Sequence, residues 1–350
     1  MSPSETVPLG MDPGYGYFKL ALSVPQPRSV AFPALVAPGA GRFKARLLGT
    51  KPKSRTVEVE TAGGRFLVGY GAQEQGHPLT ISQALGRFQD APELLPLFGA
   101  SLASLGVGDP GVQAVLAVGL PVELLQTEET RRRTVAHLRS LFLGTHTFRV
   151  GRTSFCVEVR TLLPLPQPAG AFFAWGLAPD GRWVRPKEDL LEARVGICDI
   201  GFNTCDLFAV RAGEVLSRWT GGENIGLRKV LETLQALLYR EHGLSLSLHE
   251  LDVEGVLWKE EPVLRLPSGA LPLRAERDAA LSQAAGEVVA FLERTWAGAR
   301  QFAYILITGG GSRVFQKALR QYFGSSAEFL PEPLVANAVG LARYAARRVR

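Results

Sequence analysis

Apolar residues recur along the chain in two rhythms, at every second position and at every third to fourth, and the switches between them mark out the elements. Residues 11–24, MDPGYGYFKLALSV, read as two short strands joined by a turn that holds Gly14 and Gly16. A second hairpin is expected in TVEVETAGGRFLVGYG, with Gly63 and Gly64 as its two-residue turn. The basic stretch between them, GAGRFKARLLGTKPKSR, reads as loop. VQAVLAVGLPVELL predicts a buried strand stopped by Gly119 and Pro121. TEETRRRTVAHLRSLF predicts a helix that opens at Thr127 in acidic company. Strands return in HTFRVGRTSFCVEVRTLLPL, and Pro164, Pro166 and Pro168 are expected to end the sheet. A short apolar helix, AGAFFAWGLAP, and a linker, DGRWVRPKEDLLEARV, follow.

The second half opens on VGICDIGFNTCDLFAVRAGEVL, two apolar strands around a tight turn. GGENIGLRKVLETLQALLYREHG predicts a helix with apolar positions Ile225, Val230, Leu231, Leu234 and Leu237, and ERDAALSQAAGEVVAFLERTWAGAR predicts another. FAYILITGGGSRVFQKALRQYF reads as strand, glycine turn and helix, and PLVANAVGLARYAARRVR as a helix of small residues. No period of solenoid length is present. A strand, an aspartate, a glycine turn and a second strand do recur, near residue 12 and again near residue 199.

Composition narrows the class. A chain of 350 residues with 46% hydrophobic and 21% charged residues has material for two ordinary cores. No apolar run reaches the length of a membrane span, and MSPSETVPLG lacks the basic start and apolar core of a secretory leader. Cys156, Cys198 and Cys205 form no CxxC pair, so reduced thiols in a cytoplasm are expected. The net charge of +6 is scattered except for RRRTVAHLR (Arg131, Arg132, Arg133, Arg139) and RYAARRVR (Arg343, Arg347, Arg348, Arg350). Without interleaved aromatic residues these read as solvated helix faces, the alternative being contact with nucleic acid or an acidic membrane. The five histidines show no metal-ligand spacing.

The recurring turn carries the chemistry. A glycine-rich turn lets backbone N–H groups converge on an anion, because no Cβ blocks the approach. An aspartate at the end of the preceding strand repels that anion but can hold Mg²⁺ through water. The first turn offers Asp12, Gly14 and Gly16, with Lys19 on the outgoing strand. The second offers Asp199 and Asp206 around Gly201, Asn203 and Thr204. ILITGGGSRVF places Gly309, Gly310 and Gly311 between a strand and a helix, a flat bed for a nucleoside. No GxxxxGK[ST] loop is present, so phosphate binding would rest on the paired turns.

In this order the three elements resemble the phosphate-1, phosphate-2 and adenosine motifs of the actin, heat-shock chaperone and sugar kinase ATPase superfamily. MDPGYGYFK, the FPALV to FLVGYGA insertion, AVGLPVE, LPQPAG, DIGFNTCDL, GGENIG and PLVANAVGLARYA are most similar to the prokaryotic plasmid-segregation actin-like proteins of the ParM/StbA type. The resemblance implies an α/β fold of two duplicated actin-like (ribonuclease H-like) domains with a nucleotide cleft between them, each with a small inserted subdomain. Domain I would take residues 1–194, with an insertion at about 33–74, and regain the C-terminal helix at 333–350. Domain II would take 195–332, with an insertion at about 240–275.

The resemblance also implies roles. Asp12 and Asp199 would hold Mg²⁺ through waters, and Lys19 would contact phosphate oxygens of ATP, with GTP possible. Gly14, Tyr15, Gly16, Gly201, Phe202 and Asn203 would contact the β- and γ-phosphates. Gly309, Gly310 and Gly311 would lie along the ribose and α-phosphate, and Glu223 and Lys229 near the nucleoside. Gln167 stands where the segregation proteins usually carry a glutamate that orients the attacking water, and where actin carries a glutamine. A glutamine positions water but accepts no proton, so hydrolysis would be slow. The family implies self-association into filaments and a DNA-binding adaptor protein as partner, while no direct nucleic-acid site is evident. A non-polymerising ATPase scaffold is the alternative. A small-molecule kinase is less expected because LPLPQPAG offers no carboxylate base. Chaperone activity is not expected, since little chain follows the adenosine motif.

Overall fold

A computed structural model describes residues 6–39, 56–72, 88, 91–109, 111–246, 253–267 and 269–349. The chain divides into two compact units, residues 1–186 with 334–350 and residues 187–333. Residues 187–194, assigned to domain I from the sequence, group with the second unit.

The first unit is built on a nine-stranded sheet in the order β3-β2-β1-β7-β9-β8-β5-β6-β4. Its strands are β1 (Thr6–Pro13), β2 (Tyr17–Leu22), β3 (Arg28–Pro33), β4 (Val36–Pro38), β5 (Val57–Thr61), β6 (Gly64–Val68), β7 (Gln113–Leu120), β8 (Gly144–Val150) and β9 (Thr153–Pro166). β1, β7 and β9 run parallel, while β1, β2 and β3 form an antiparallel meander. Parallel strands are covered on both faces, which is why β1 and β7 read as unbroken apolar runs. The helix Ala336–Ala346 lies on β1 so closely that a Cβ on Gly10 would stand 2.1 Å from the Ala338 carbonyl. It packs equally closely on the helix Ala169–Gly176, through Gly340 and Gly170.

Several details depart from the sequence reading. The β5–β6 turn is Ala62–Gly63 and not Gly63–Gly64: the register pairs Thr61 with Gly64, and the Thr61 hydroxyl accepts a bond from the Gly63 N–H. Pro164 does not end the sheet but lies inside β9, which ends at Pro166. β8 leaves β9 at Val159, so beyond it only the β7 edge is paired. Gln167 N donates to Leu120 O, so the odd positions face β7 and the two prolines turn their missing N–H toward the unpaired edge. The linker contains the short helix Lys187–Leu191. The helix Leu94–Leu105 had no expectation. It is buried nearly all round, its Ser101 and Ser104 hydroxyls bond back to Leu97 O and Ala100 O, and Gly106 ends it at φ 64°.

Of the two basic clusters, the helix Glu128–Phe142 begins as expected, with the Thr127 hydroxyl accepting from Thr130 N, and Arg131 and Arg133 pair with Glu128 and Glu129 on its outer face. Of the C-terminal arginines, Arg347 and Arg348 are exposed as expected, Arg343 is half-buried, and Arg350 lies outside the described residues. Arg343 donates to Ala174 O and Leu177 O, Arg347 donates to Gly181 O and Arg348 to the Tyr344 hydroxyl. Two of them therefore satisfy carbonyls at and beyond the end of the helix Ala169–Gly176.

The second unit has a sheet in the order β12-β11-β10-β16-β17, with β13 also on β11. The strands are β10 (Val195–Ile200), β11 (Cys205–Arg211), β12 (Glu214–Val215), β13 (Gly221–Glu223), β16 (Tyr304–Thr308) and β17 (Ala327–Phe329). β14 (Val263–Leu266) and β15 (Gly269–Pro272) form a separate hairpin. The helices Leu227–His242 and Arg274–Trp296 pack on each other and on this sheet, the first through Leu227, Val230, Leu231, Leu234 and Leu238. GGE is strand β13, so this helix starts at Leu227 and not at the glycines. The expected insertion at 33–74 contains β4 to β6, and that at 240–275 contains the short helix Val253–Leu257 and the β14–β15 hairpin. Residues 40–55, 73–74 and 247–252 lie outside the described residues.

Two glycines in helices have opposite surroundings. A Cβ on Gly340 would meet Gly170 O at 1.7 Å, whereas one on Gly286 would meet nothing within 4 Å. Gly340→Ala is expected to lower the unfolding free energy by about 1–3 kcal/mol, and Gly286→Ala to raise it by up to about 1 kcal/mol, both read from urea midpoints.

Candidate functional site

In the first unit the register pairs Asp12 on β1 with Lys19 on β2. Asp12 is 1% exposed, and a buried carboxylate requires a partner. Lys19 Nζ supplies it at 3.0 Å from Oδ2. Oδ1 is buried and has no hydrogen-bond partner among the described residues. The ammonium expected on phosphate oxygens is thus bonded to Asp12. Gly14 passes over this pair, where a Cβ would lie 2.8 Å from Lys19 Nζ and 3.0 Å from Tyr17 O. Gly14, Tyr15 and Gly16 make up the turn, and just past it the Tyr17 hydroxyl meets that of Tyr70 at 2.7 Å. Gln167 directly follows β9, at the carboxyl ends of the same parallel strands as Asp12. A Cβ on Gly119 would come within 3.2 Å of its Cα. Crevices at the carboxyl ends of parallel strands are the usual ligand sites of such sheets.

In the second unit Asp199 is 2% exposed and stands opposite Asp206 across β10 and β11. Gly201 N donates to Thr204 O at 2.8 Å to close the turn, and the Thr204 hydroxyl donates to Asp206 Oδ2 at 2.7 Å. The turn is braced from behind. Gly226 N donates to Asn203 O at 3.2 Å, Leu227 N to Gly201 O at 3.2 Å and Arg228 N to Phe202 O at 2.7 Å. These are among the N–H groups that a helix start leaves without partners. A Cβ on Gly226 would meet Phe202 O at 2.6 Å, so the approach depends on glycine.

The glycines of ITGGGS close on the same place. β16 pairs with β10, Thr308 beside Asp199. Gly309 has φ 84°, and its Cβ would lie 2.2 Å from Ile200 O and 2.4 Å from Asp199 Oδ1. Gly311 meets Ile200 in the same way, with Gly310 between them at the start of the short helix Gly311–Val314. Two motifs far apart in sequence are therefore adjacent within the second unit. Glu223, at the end of β13, accepts from Arg294 Nη2 at 2.8 and 3.0 Å, and Lys229 pairs with Glu287 at 3.5 Å. Both are tied to the helix Arg274–Trp296. Gly226, Arg294 and Glu287 were not singled out from the sequence. The glycine before LRKVLETL was the available signal for the first, and ordinary surface charges gave none for the other two.

Cys198 and Cys205 flank the turn on one face of the hairpin, both fully buried. The Cys205 thiol is pushed well above its ordinary pKa, first by its hydrogen bond with Cys198, then by burial and the nearby carboxylates. They serve as small apolar residues, not nucleophiles.

The described residues contain no group of three His, Cys, Asp or Glu side chains that could hold a metal. An all-protein cage is therefore not what they build. The unbonded buried oxygen of Asp12 is the kind of hard acceptor that suits Mg²⁺, which commonly keeps its waters and binds through one or two carboxylates and substrate phosphates. No helix among the described residues is long and apolar enough to cross a membrane.

No curated protein sequence matches the chain. Among solved structures, it resembles the subunit of a 15-stranded ParM filament from Clostridium botulinum (TM-score 0.75, 18% identity, covering 98% of this chain and 99% of that one). It also resembles an archaeal actin homologue in complex with ADP (0.73, 18%, 98% and 99%) and Bacillus thuringiensis ParM with ATP (0.67, 14%, 99% and 98%). Such identities speak for the fold alone. Residues 10–170 match the N-terminal domain of actin-like proteins, and residues 197–321 match the C-terminal domain of the archaeal MreB-like actin homologue. On these two matches and the fold, the chain belongs to the actin-like proteins.

Proposed function

We propose that the chain is a slow actin-like ATPase whose two aspartate–glycine turns serve one Mg²⁺–nucleotide and whose nucleotide state governs assembly into filaments. The observation that carries this reading is that each unit buries an aspartate at the carboxyl end of a central strand, one residue before a turn that opens on a glycine, Gly14 in one and Gly201 in the other. Asp12 and Asp199 hold Mg²⁺ through waters. The N–H groups of Gly14, Tyr15, Gly16, Phe202 and Asn203, with Lys19, take the β- and γ-phosphates, while Gly201, whose N–H closes the turn on Thr204 O, lets the backbone approach them. Gly309, Gly310 and Gly311 take the ribose and α-phosphate, Glu223 and Lys229 lie toward the base, and Gln167 orients the attacking water. Bound metal supplies charge neutralisation of the phosphates.

The turns differ in charge. Lys19 neutralises Asp12, whereas Asp199 faces a second carboxylate, a repulsive pairing for two strands. A cation beside the two carboxylates relieves that repulsion. ADP and ATP in two of the similar structures, and a filament in a third, support nucleotide binding and self-association. Head-to-tail contacts of one surface on another repeat without closing, which is how a single chain forms a filament. A role in plasmid or other DNA segregation through an adaptor protein is the finer form of this reading. A non-polymerising scaffold is the other form, and assembly assays separate the two.

Phosphate release from ATP with Mg²⁺ is expected at a low rate. Asp199→Asn should abolish metal-dependent turnover, and Asp12→Asn should weaken it less. Gln167→Ala should lower kcat with nucleotide affinity kept, and Gln167→Glu should raise kcat about tenfold or more by adding a proton acceptor. Unchanged turnover in Asp199→Asn would remove the site. Pelleting and light scattering with ATP and with GTP, each with Mg²⁺, should show nucleotide-dependent assembly. A protein monomeric at high concentration with every nucleotide would leave only the scaffold reading.

A further inference from the structure

The end of the second unit's sheet away from its phosphate turn gathers arginines that the proposed site does not use. Arg194 immediately precedes β10, and the pairing of Val195 with Val210 brings Arg211, the last residue of β11, to the same end. A tight hairpin through Ala212 and Gly213, with φ 52° and 79°, leads into β12. Leu216 N then donates to Ala209 O at 2.8 Å and turns the chain through Ser217–Trp219. Arg194 and Arg218 both lie over the Trp219 ring, with Cζ 5.3 and 5.6 Å from its centroid. Ala303 N donates to Arg194 O, so the turn that carries Arg300 adjoins them.

Elsewhere in this unit Arg228 pairs with Glu232, Arg274 with Glu261, Arg277 with Asp278 and Arg294 with Glu223, while Arg265, Arg313 and Arg320 stand apart from one another without an ion pair among the described residues. Arg194, Arg211, Arg218 and Arg300 form no ion pair among the described residues. The nearest acids by register, sequence and contact are Glu214, opposite Arg211, Glu192, and Glu293, which accepts from Gly298 N in the turn that carries Arg300; four guanidiniums against three carboxylates leave the end net positive. Stacking on an indole holds a guanidinium in place while its N–H fork remains available for a carboxylate. Val215, 43% exposed on the adjoining edge strand, offers apolar contact beside the charges.

The chemistry distinguishes a peptide from a nucleic acid. Trp219 already carries two guanidiniums and the edge of Phe302, whose ring centre is 5.9 Å away, so it offers no open platform for bases. Paired arginines held beside a tryptophan instead match the composition of protein-binding hot spots. We propose that this end of the second unit docks an acidic polypeptide segment in which carboxylates flank an apolar side chain.

The test uses the full chain without nucleotide and a fluorescent decapeptide of glutamates interrupted by leucines, followed by anisotropy, with oligothymidylate of equal charge in parallel. Arg194→Glu with Arg218→Glu should weaken peptide binding at least about tenfold. Because Arg194 is half-buried, Arg211→Glu with Arg218→Glu, both exposed, should do the same in a protein with unchanged thermal unfolding. Arg132→Glu, on the unrelated helix Glu128–Phe142, should leave binding unchanged. The proposal is overturned if peptide affinity survives both double variants or falls equally in Arg132→Glu. It is also overturned if oligothymidylate binds the same arginines more tightly than the peptide does.

Discussion

A carboxylate taken out of water at the end of a strand has to be answered, and the two turns of this protein answer it differently. Asp12 is met by the ammonium of Lys19 through a direct cross-strand register, with one oxygen left over. Asp199 is buried beside Gly309 and opposite another acid. Stranding an unpaired buried charge costs several kcal/mol, so the neighbouring geometry is not free to vary. Gly309 is required, because at φ 84° a Cβ would fall on the Ile200 carbonyl and the Asp199 carboxylate, while a Cβ on Gly14 would press on the Lys19 ammonium and the Tyr17 carbonyl.

Rigidity behind the turns follows from secondary structure. In the second unit the start of the helix Leu227–His242 donates to three successive turn carbonyls, so the turn is fixed from its outer side while its inner N–H groups keep their direction. In the first unit the sheet does the equivalent work. β1 lies between β2 and β7 and under a helix that Gly10 admits to within backbone contact. Residues that touch no phosphate, such as Gly226 and Gly10, are thereby tied to the geometry of those that would.

Much of this was legible in the sequence because it rests on local rules. Asp12 and Asp199 stood out as acids at strand ends before glycine turns, and the apolar run of β7 announced a buried strand. What escaped depended on partners remote in the chain. Pro164 looked like a terminator because nothing local says that β8 leaves β9 at Val159. The helix Leu94–Leu105 was hidden because burial on nearly every side erases the amphipathic period, and its serines look polar while bonding inward. The pairing of Glu223 with Arg294 and of Lys229 with Glu287 spans stretches whose register only the packed helices define.

One metal–nucleotide is proposed to engage both turns. The most direct measurement is a crystal structure of the protein with Mn²⁺ and a non-hydrolysable ATP analogue, with the metal located by its anomalous signal. The account predicts a single manganese peak about 4–5 Å from a carboxylate oxygen of both Asp12 and Asp199, the span of one bridging water. A nucleotide bound with its metal remote from either aspartate would contradict it.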